Sequence, residues 1–432
     1  MRKIYRTLLC GGLLFLSLGF SSCEDYLDKE ADSTVSEEEA FKNFRNFQGF
    51  IEEIYNCIPD KEKNNYTTSW NWGDDEIFNP EGDSHMTHQV DLGNFRAWST
   101  NNQCWLYRNG SDPTATYHPN DDGNAKFKHS LWPHAWYYGL VEHDNIIHQP
   151  TANYVNLYGM KNGLPLSEDE AKSGFNKNYP FRNRDARFYH DIVFDGFQYV
   201  NAAIPEQDKE FLRYCTLYTG GAMRAVANAS RTGYFIQKLV PHQANKYDGL
   251  YNWSGNLHTY LPYMRLADIY LMYAEACAAV DGASGKSTNF GKTAEDAINT
   301  LRKRAGVGPV GGGEPEDEKG TLCPEYISNP QKFMDEVRRE RAVELSFEGF
   351  RFNDLQRWLL LTEAPYTIKT SQEFERVENE DFYKNNDPAE AEVRNFREVT
   401  ILKRVFGTKH YWFPLLDNDV YLYAEFPQNP GW

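Results

Sequence analysis

The sequence predicts a mainly α-helical protein with long irregular loops and few short strands. Three observations support this class. Helical periodicity of apolar residues recurs in several segments and is clearest over residues 266–277. A second helical segment follows after a polar turn, which is the arrangement of tetratricopeptide-like helix pairs. Between the helical segments lie long stretches without periodicity that are rich in Trp, Asn, Asp and Gly.

The N-terminus has the features of a secretory leader. A basic start precedes an apolar stretch from Leu8 to Phe20, which is too short for a convincing membrane span. Two small serines then precede Cys23, so the segment resembles the lipobox of a bacterial lipoprotein. The sequence therefore predicts a signal peptide over residues 1–22 and lipidation at Cys23. An ordinary signal peptide followed by an unrelated cysteine is the alternative.

Charge and cysteine content exclude several classes of protein. The leader holds three of the 45 basic residues and none of the 62 acidic ones, so the formal charge changes from -17 to -20 on cleavage. This charge argues against nucleic acid or an anionic membrane surface as a partner. The seven cysteines form no CxxC pair and have no spacing to histidine that suits zinc. No metal and no cofactor are predicted.

Two helices are predicted in the first half of the mature chain. Residues 37–56 carry a stripe of Phe, Ile and Tyr side chains behind a capping Ser36. Residues 131–148 carry a second apolar stripe. Residues 188–200 alternate enough to predict a short hairpin or a strand.

The clearest helices lie in the second half. A helix over residues 293–305 follows the one at 266–277 and ends at Gly306. Residues 363–398 are predicted to form a charged, irregular excursion. The helix at 266–277 is predicted to bury one apolar face and to expose a charged side. The apolar face consists of Leu266, Ile269, Tyr270, Tyr273, Ala274 and Cys277, and the charged side of Arg265, Asp268 and Glu275.

Residues 333–358 combine two short helices, separated at Gly349, with many charges of both signs. We call this segment the charged corner. Such charge density could indicate a catalytic cluster, but networks of ion pairs are common without chemistry. We therefore interpret the segment as a structural corner that locks two helices. The residues predicted to pair within it are Arg341, Glu344, Glu348, Arg351 and Asp354.

Two loops concentrate the side chains that sugar binding requires. Flat aromatic faces stack on pyranose rings, and amide or carboxylate groups bind the hydroxyls. We call residues 64–130 the first aromatic loop and residues 241–258 the second. Trp72, Trp98 and Trp105 are the strongest candidates. The full candidate set is Trp70, Asn71, Trp72, Asp74, Trp98, Trp105 and Tyr107 in the first loop and Tyr251 and Trp253 in the second.

No catalytic or metal centre is predicted from these loops. Residues 74–76 are adjacent acids, whereas a glycosidase needs two facing carboxylates at a set separation. The pairs His85–His88 and His143–His148 lack an obvious third ligand. A secreted glycan-degrading enzyme nevertheless stays open as an alternative function.

Several stretches, taken in order, resemble the SusD/RagB family. They are LPYMRLADIYLMYAEACAAVDG (261–282), AEDAINTLRKRAGV (294–307), RRERAVELSFEGFRFNDLQRW (338–358) and QNPGW (428–432). The acidic residues directly after Cys23 also resemble the signal that directs lipoproteins of Bacteroidetes-type bacteria to the cell surface.

The resemblance implies a lipid-anchored protein of the outer membrane that faces the cell exterior. Family members bind an oligosaccharide or other nutrient and pass it to a TonB-dependent SusC-like β-barrel transporter, without catalysis. The implied fold is SusD-like and mainly α, as a single domain over residues 23–432 with parts 23–149 and 150–432. The chain lacks the helical block that usually stands before Pro150. A helical-repeat scaffold that binds only protein partners is therefore a third candidate function.

Overall fold

The computed structural model divides the chain into two compact units. The first comprises residues 1–59 and 109–117, and the second comprises residues 60–108 and 118–432. In the part of the chain that the structure describes, no helix is long and apolar enough to cross a membrane. The described residues are 42, 44, 45, 48, 74–78, 86–94, 149–166, 169–198, 200–203, 213–224, 230–238, 248, 264–415, 417–422 and 425–432.

The predicted helices at 37–56 and 131–148 lie largely or wholly outside these residues. Of the first, only residues 42, 44, 45 and 48 are described, and the last three are helical. The domain boundary proposed from the sequence stays a prediction.

The second unit is mainly α-helical, as predicted, and its strands form small two-stranded sheets. The sheets within the described residues are all antiparallel: β1 (Ile77–Phe78) with β2 (Gln149–Pro150), β3 (Ile192–Val193) with β4 (Phe235–Ile236), and β5 (Ile368–Arg376) with β6 (Val393–Lys403). The helices are α1 (Met86–Asp91), α2 (Ala152–Val155), α3 (Glu170–Ser173), α4 (Ala186–Asp191), α5 (Leu266–Asp281), α6 (Ala294–Ala305), α7 (Glu325–Ser328), α8 (Pro330–Glu344), α9 (Arg351–Arg357), α10 (Glu380–Asn385) and α11 (Asp417–Leu422).

The helix pair predicted in the C-terminal half is confirmed as α5 and α6. Thr293 and Asp296 form a capping box at the start of α6, and Gly306 ends the helix in the left-handed conformation with φ 70°. Helix α8 packs against α5, forms ion pairs with α6, and begins with Pro330 behind the capping Asn329. The three helices enclose one of the hydrophobic cores.

The apolar face predicted for α5 is partly wrong. Ala274 is buried and Tyr270, Tyr273 and Cys277 pack against the core, as predicted, but the other two members are exposed. Leu266 is 69% exposed and Ile269 is also exposed, whereas Ala267, Leu271 and Ala274 are buried. Small side chains on the inner face let α6 and α8 approach closely, so packing favours alanine there over the larger residues. Asp268 is buried too, because its carboxylate pairs with Arg341 at 2.5 Å.

Residues 363–398 are not an irregular excursion. They contain the long strand β5 and the start of β6. Residues 369–372 of β5 are all buried although all four are polar. Each of the four makes at least one hydrogen bond, such as that from the Gln372 amide N–H to the Arg397 carbonyl (2.8 Å), although the Gln372 Oε1 atom is buried without a partner among the described residues. The strand therefore lacks the apolar alternation by which strands are recognised.

The strand predicted within residues 188–200 is confirmed only at β3. The preceding residues form α4, because the Asp185 carboxylate caps that helix by accepting from the Arg187 N–H. Phe188 and Phe194 from this region join Phe181 and Phe374 in a second, aromatic core. This core supports β5 through Phe374.

Candidate ligand-binding site

Most of the predicted site lies outside the described residues. Asp74 is the only member of the candidate set within them, and Cys23 also falls outside. The structure therefore describes how the two aromatic loops are attached to the fold. The candidate ligand contacts outside the described residues are Trp70, Asn71, Trp72, Trp98, Trp105, Tyr107, Tyr251 and Trp253.

Asp74 is buried and turns the chain into β1. Its Oδ1 accepts hydrogen bonds from the N–H groups of Glu76 (3.0 Å) and Ile77 (3.1 Å). A carboxylate with these local contacts stabilises a tight backbone turn. In this conformation Asp74 lacks the exposure that a ligand contact needs.

The first aromatic loop is attached through what we call the first anchor, which consists of Asp75, Glu76, Phe347 and Arg351. The Arg351 guanidinium donates two hydrogen bonds to the Asp75 carboxylate, at 2.7 and 2.9 Å. The Phe347 N–H donates to Glu76 Oε1. Because these partners belong to the charged corner, the corner holds the chain directly after Trp70 and Trp72.

A second anchor lies at α1, before Trp98. Asp91 is buried and binds Lys369 Nζ at 2.8 Å and Arg404 Nε at 3.2 Å. The neighbouring Val90 packs in a core with Phe352 of α9. Both anchors thus lie in the first half of the loop, one after Trp72 and one before Trp98.

The two anchors together bury more acid than base. Asp74, Asp75, Glu76 and Asp91 meet three cations, Arg351, Lys369 and Arg404, among the residues that the structure describes. Burial and the charge of Asp74 raise the pKa of Glu76 well above its usual value. Although burial opposes it, Arg351 holds the pKa of Asp75 below its usual value. Burial therefore favours the protonated forms of Asp74 and Glu76, and it raises the pKa of Glu76 the more strongly.

The raised pKa of Glu76 makes stability depend on pH. Because Glu76 titrates higher in the folded chain, the folded state binds more protons than the unfolded state above the ordinary pKa of 4.5. The contribution of Glu76 to the free energy of unfolding must then fall as pH rises from that value through the raised pKa. We expect Glu76→Gln to remove this loss, measured as the urea midpoint over a pH series. The exposed Glu316→Gln is the control. An unchanged pH slope in Glu76→Gln would contradict the assignment.

The ion pairs of the charged corner reach further than predicted. The pair between Arg341 and Asp354 is confirmed at 2.8 Å. Glu344 and Glu348 instead bind Arg265 at the start of α5, and Arg351 binds Asp75. These three residues therefore do not pair with one another across the break between α8 and α9. They join the charged corner to α5 and to the first aromatic loop. Sequence reasoning missed the Asp75–Arg351 pair because 276 residues separate its members.

The second aromatic loop has one described residue, Asp248. Its carboxylate accepts hydrogen bonds from the N–H groups of Asn201 (3.1 Å) and Ala202 (2.6 Å). Arg213 donates to the Asn201 carbonyl at 2.9 Å and braces the same turn. The attachment lies three residues before Tyr251.

A separate cleft of about 620 Å³ lies between the end of α5 and the start of α6. Its polar lining includes Asp281, Glu295, Asp296 and Lys319, and no aromatic side chain contributes. It therefore lacks the flat faces on which sugar rings stack. Within the described ranges, no group of three or more His, Cys, Asp or Glu side chains is arranged to hold a metal ion.

The comparison with protein-family models identifies one family. Residues 85–432 match the model of the SusD family. No curated protein matches the chain. Similar solved structures include a SusD-like protein from Bacteroides fragilis (23% identity, 66% of this chain, 47% of that chain, TM-score 0.45). Another is a SusD-like carbohydrate-binding protein from the same species (20% identity, 64% of this chain, 48% of that chain, TM-score 0.40). A SusD superfamily protein from Bacteroides vulgatus is also similar (17% identity, 66% of this chain, 45% of that chain, TM-score 0.35). The match spans less than half the length of each of these proteins.

Proposed function

Because the chain belongs to the SusD family, we propose that it is a cell-surface lipoprotein that binds a glycan or another nutrient without turning it over. The observation that carries this proposal is the family match over residues 85–432. The tryptophan and amide content of the two aromatic loops supports it, because those side chains suit sugar rings and hydroxyls. A formal charge of -17 favours neutral or cationic ligands over nucleic acid.

The proposed protein is tethered to the outer membrane and faces the cell exterior. The leader over residues 1–22 is removed, and lipid on Cys23 supplies the anchor. Bound oligosaccharide then passes to a TonB-dependent SusC-like β-barrel transporter, which is the protein partner. The task is capture and delivery, so it needs modest affinity, reversible stacking and no catalytic residue.

The proposed ligand site consists of both aromatic loops. Asp74 contributes by turning the chain and is left out of the direct contacts because it is buried. The anchors at Asp75, Asp91 and Asp248 attach the loops to the fold. The proposed ligand contacts are Trp70, Asn71, Trp72, Trp98, Trp105, Tyr107, Tyr251 and Trp253.

We expect polysaccharide in a native gel to retard the mature protein and not to retard its Trp72→Ala/Trp98→Ala/Trp105→Ala variant. Aromatic pairs contribute roughly 0.5–1.5 kcal/mol beyond area burial; with a similar contribution from each stacking platform, three losses would lower a modest affinity below detection. Trp412→Ala is the matched control, because Trp412 is 53% exposed and lies outside both loops.

The outcomes separate the candidate functions. Retardation of the triple variant equal to that of the wild-type protein would reject the site. Release of smaller sugars during incubation with oligosaccharides would favour the secreted enzyme. Binding of no glycan, with capture of a protein partner, would favour the helical-repeat scaffold.

A further inference from the structure

We propose that Arg351 is a positioning residue for the ligand site, acting through Asp75 on the segment that carries Trp70 and Trp72. This inference rests on the proposed function, because it assigns a residue to that same site. Arg351 lies in α9 and contacts no candidate ligand residue among those described. Its role is to fix the chain at Asp75, near the start of the first aromatic loop.

The geometry of the first anchor suits this role. The Arg351 and Asp75 side chains are only 5% and 4% exposed, and their contact is bidentate. A planar guanidinium that makes two parallel hydrogen bonds fixes orientation as well as distance. The rings of Tyr154 and Tyr366 lie near the same guanidinium, each 5.4 Å from Cζ. These rings therefore restrict the Arg351 guanidinium independently of its contact with Asp75.

The anchor also has a rigid base. Arg351 belongs to α9, whose Phe352 and Leu355 are buried in a core with Leu361. Phe347, whose N–H binds Glu76, has a left-handed backbone with φ 60°. A bulky residue holds that conformation only where its surroundings enforce it. The chain leaving Asp75 is thus tied to helices.

The distance from the anchor to the candidate platforms is short along the chain. Trp72 precedes Asp75 by three residues, and an extended chain covers at most roughly 3.3–3.6 Å per residue. The position of Asp75 therefore limits where the Trp72 ring can lie. Loss of the anchor should loosen this segment first.

The fold supplies a second ion pair of the same kind for comparison. Arg376 binds the Asp195 carboxylate at 2.6 and 2.9 Å, with the two side chains 11% and 2% exposed. Its guanidinium lies over the rings of Tyr218 and Tyr383. Neither partner is near the candidate set in sequence. Loss of either arginine should cost similar global stability, but only one should affect the loop.

The test compares Arg351→Met with Arg376→Met in the full mature chain. Hydrogen exchange followed by mass spectrometry would report on peptides that span residues 64–78. We expect Arg351→Met to speed exchange there by at least about tenfold, as for local opening, and to reduce retardation by polysaccharide. Arg376→Met should leave both at wild-type values after matching for global stability. Arg351→Lys should resemble Arg351→Met, because lysine cannot make the bidentate contact.

Several results would overturn the proposal. Equal acceleration in both methionine variants would make Arg351 a general stability residue, and unchanged exchange in Arg351→Met would deny the anchor. If Arg351→Met does not fold, Asp75→Asn removes the same ion pair with a smaller change in side-chain shape. It is then compared with Arg376→Met in the same way. A wild-type chain that binds no polysaccharide would overturn the proposed function, and with it the role in ligand binding. The exchange comparison would then still decide whether Arg351 orders the loop.

Discussion

Replacement of Arg302 by Met should lower the free energy of unfolding by roughly 3–5 kcal/mol, because it breaks a buried ion network. Arg302 is 1% exposed and binds Glu336 at 2.7 Å and Glu340 at 2.9 Å. Despite the opposing effect of burial, Arg187 and Arg302 lower the pKa of Glu340 to about 2. Without Arg302, two buried carboxylates each lose a cation that offsets their desolvation. Urea unfolding at neutral pH measures the loss.

The next residue on the same helix provides the control. Lys303 is 61% exposed and meets Glu318 at 3.9 Å. Exposed pairs of this kind contribute roughly 0–1 kcal/mol, so Lys303→Met should change stability little. Losses of similar size in the two variants would show that the buried network does not stabilise α6 against α8.

Replacement of Cys23 by Ala should abolish membrane attachment through lipid. Each buried methylene of an acyl chain contributes roughly 0.8 kcal/mol, and two or more chains make release slow. The effect is therefore all or none in a fractionation experiment. The measurements are incorporation of labelled palmitate and partition of the full-length product into a detergent phase.

Cys10→Ala is the matched control for this prediction. Cys10 lies inside the predicted leader, which is removed from the mature protein. The mature product of Cys10→Ala should therefore still carry lipid on Cys23. Labelled palmitate in the Cys23→Ala product would reject lipidation at Cys23. An ordinary signal peptide would then be the better interpretation of residues 1–22.

The sequence predicted the helices around the charged corner well, because capping and periodicity are local signals. It failed on the inner face of α5, where Leu266 is exposed and Asp268 is buried. Periodicity gives weight to large apolar residues, whereas close packing of α5 on its neighbours requires small ones. The burial of Asp268 depends on Arg341, which is 73 residues away. No local pattern contains that partner.

The hairpin of β5 and β6 was missed for a related reason. Burial of a strand is usually inferred from apolar alternation, but Lys369 and Gln372 are buried through hydrogen bonds to distant groups. The strand β6 is largely exposed and charged. Both strands therefore look like solvent-exposed sequence until their partners are known.

For the candidate site, too, local sequence predicted part of the result and tertiary contacts determined the rest. Composition alone identified two loops with the chemistry for sugar binding. It also placed Asp74 among the ligand contacts, since a carboxylate in an aromatic loop suits hydroxyl groups. The local hydrogen bonds of Asp74 and the anchors at Arg351 and Asp91 arise from tertiary contacts. Their detection required three-dimensional structure.

The carboxylates of α8 constrain which sequences are accessible by single mutations. Glu340 binds both Arg187 and Arg302, and Glu336 binds both Arg302 and Arg339. Exchange of Arg302 and Glu340 would therefore set a carboxylate beside Glu336 and a cation beside Arg187. If both charges of any one ion pair in this network are reversed, at least one of the two residues then lies beside a like charge. An engineered or evolving chain must change several of these positions at once, so this region offers few one-step routes to a different sequence.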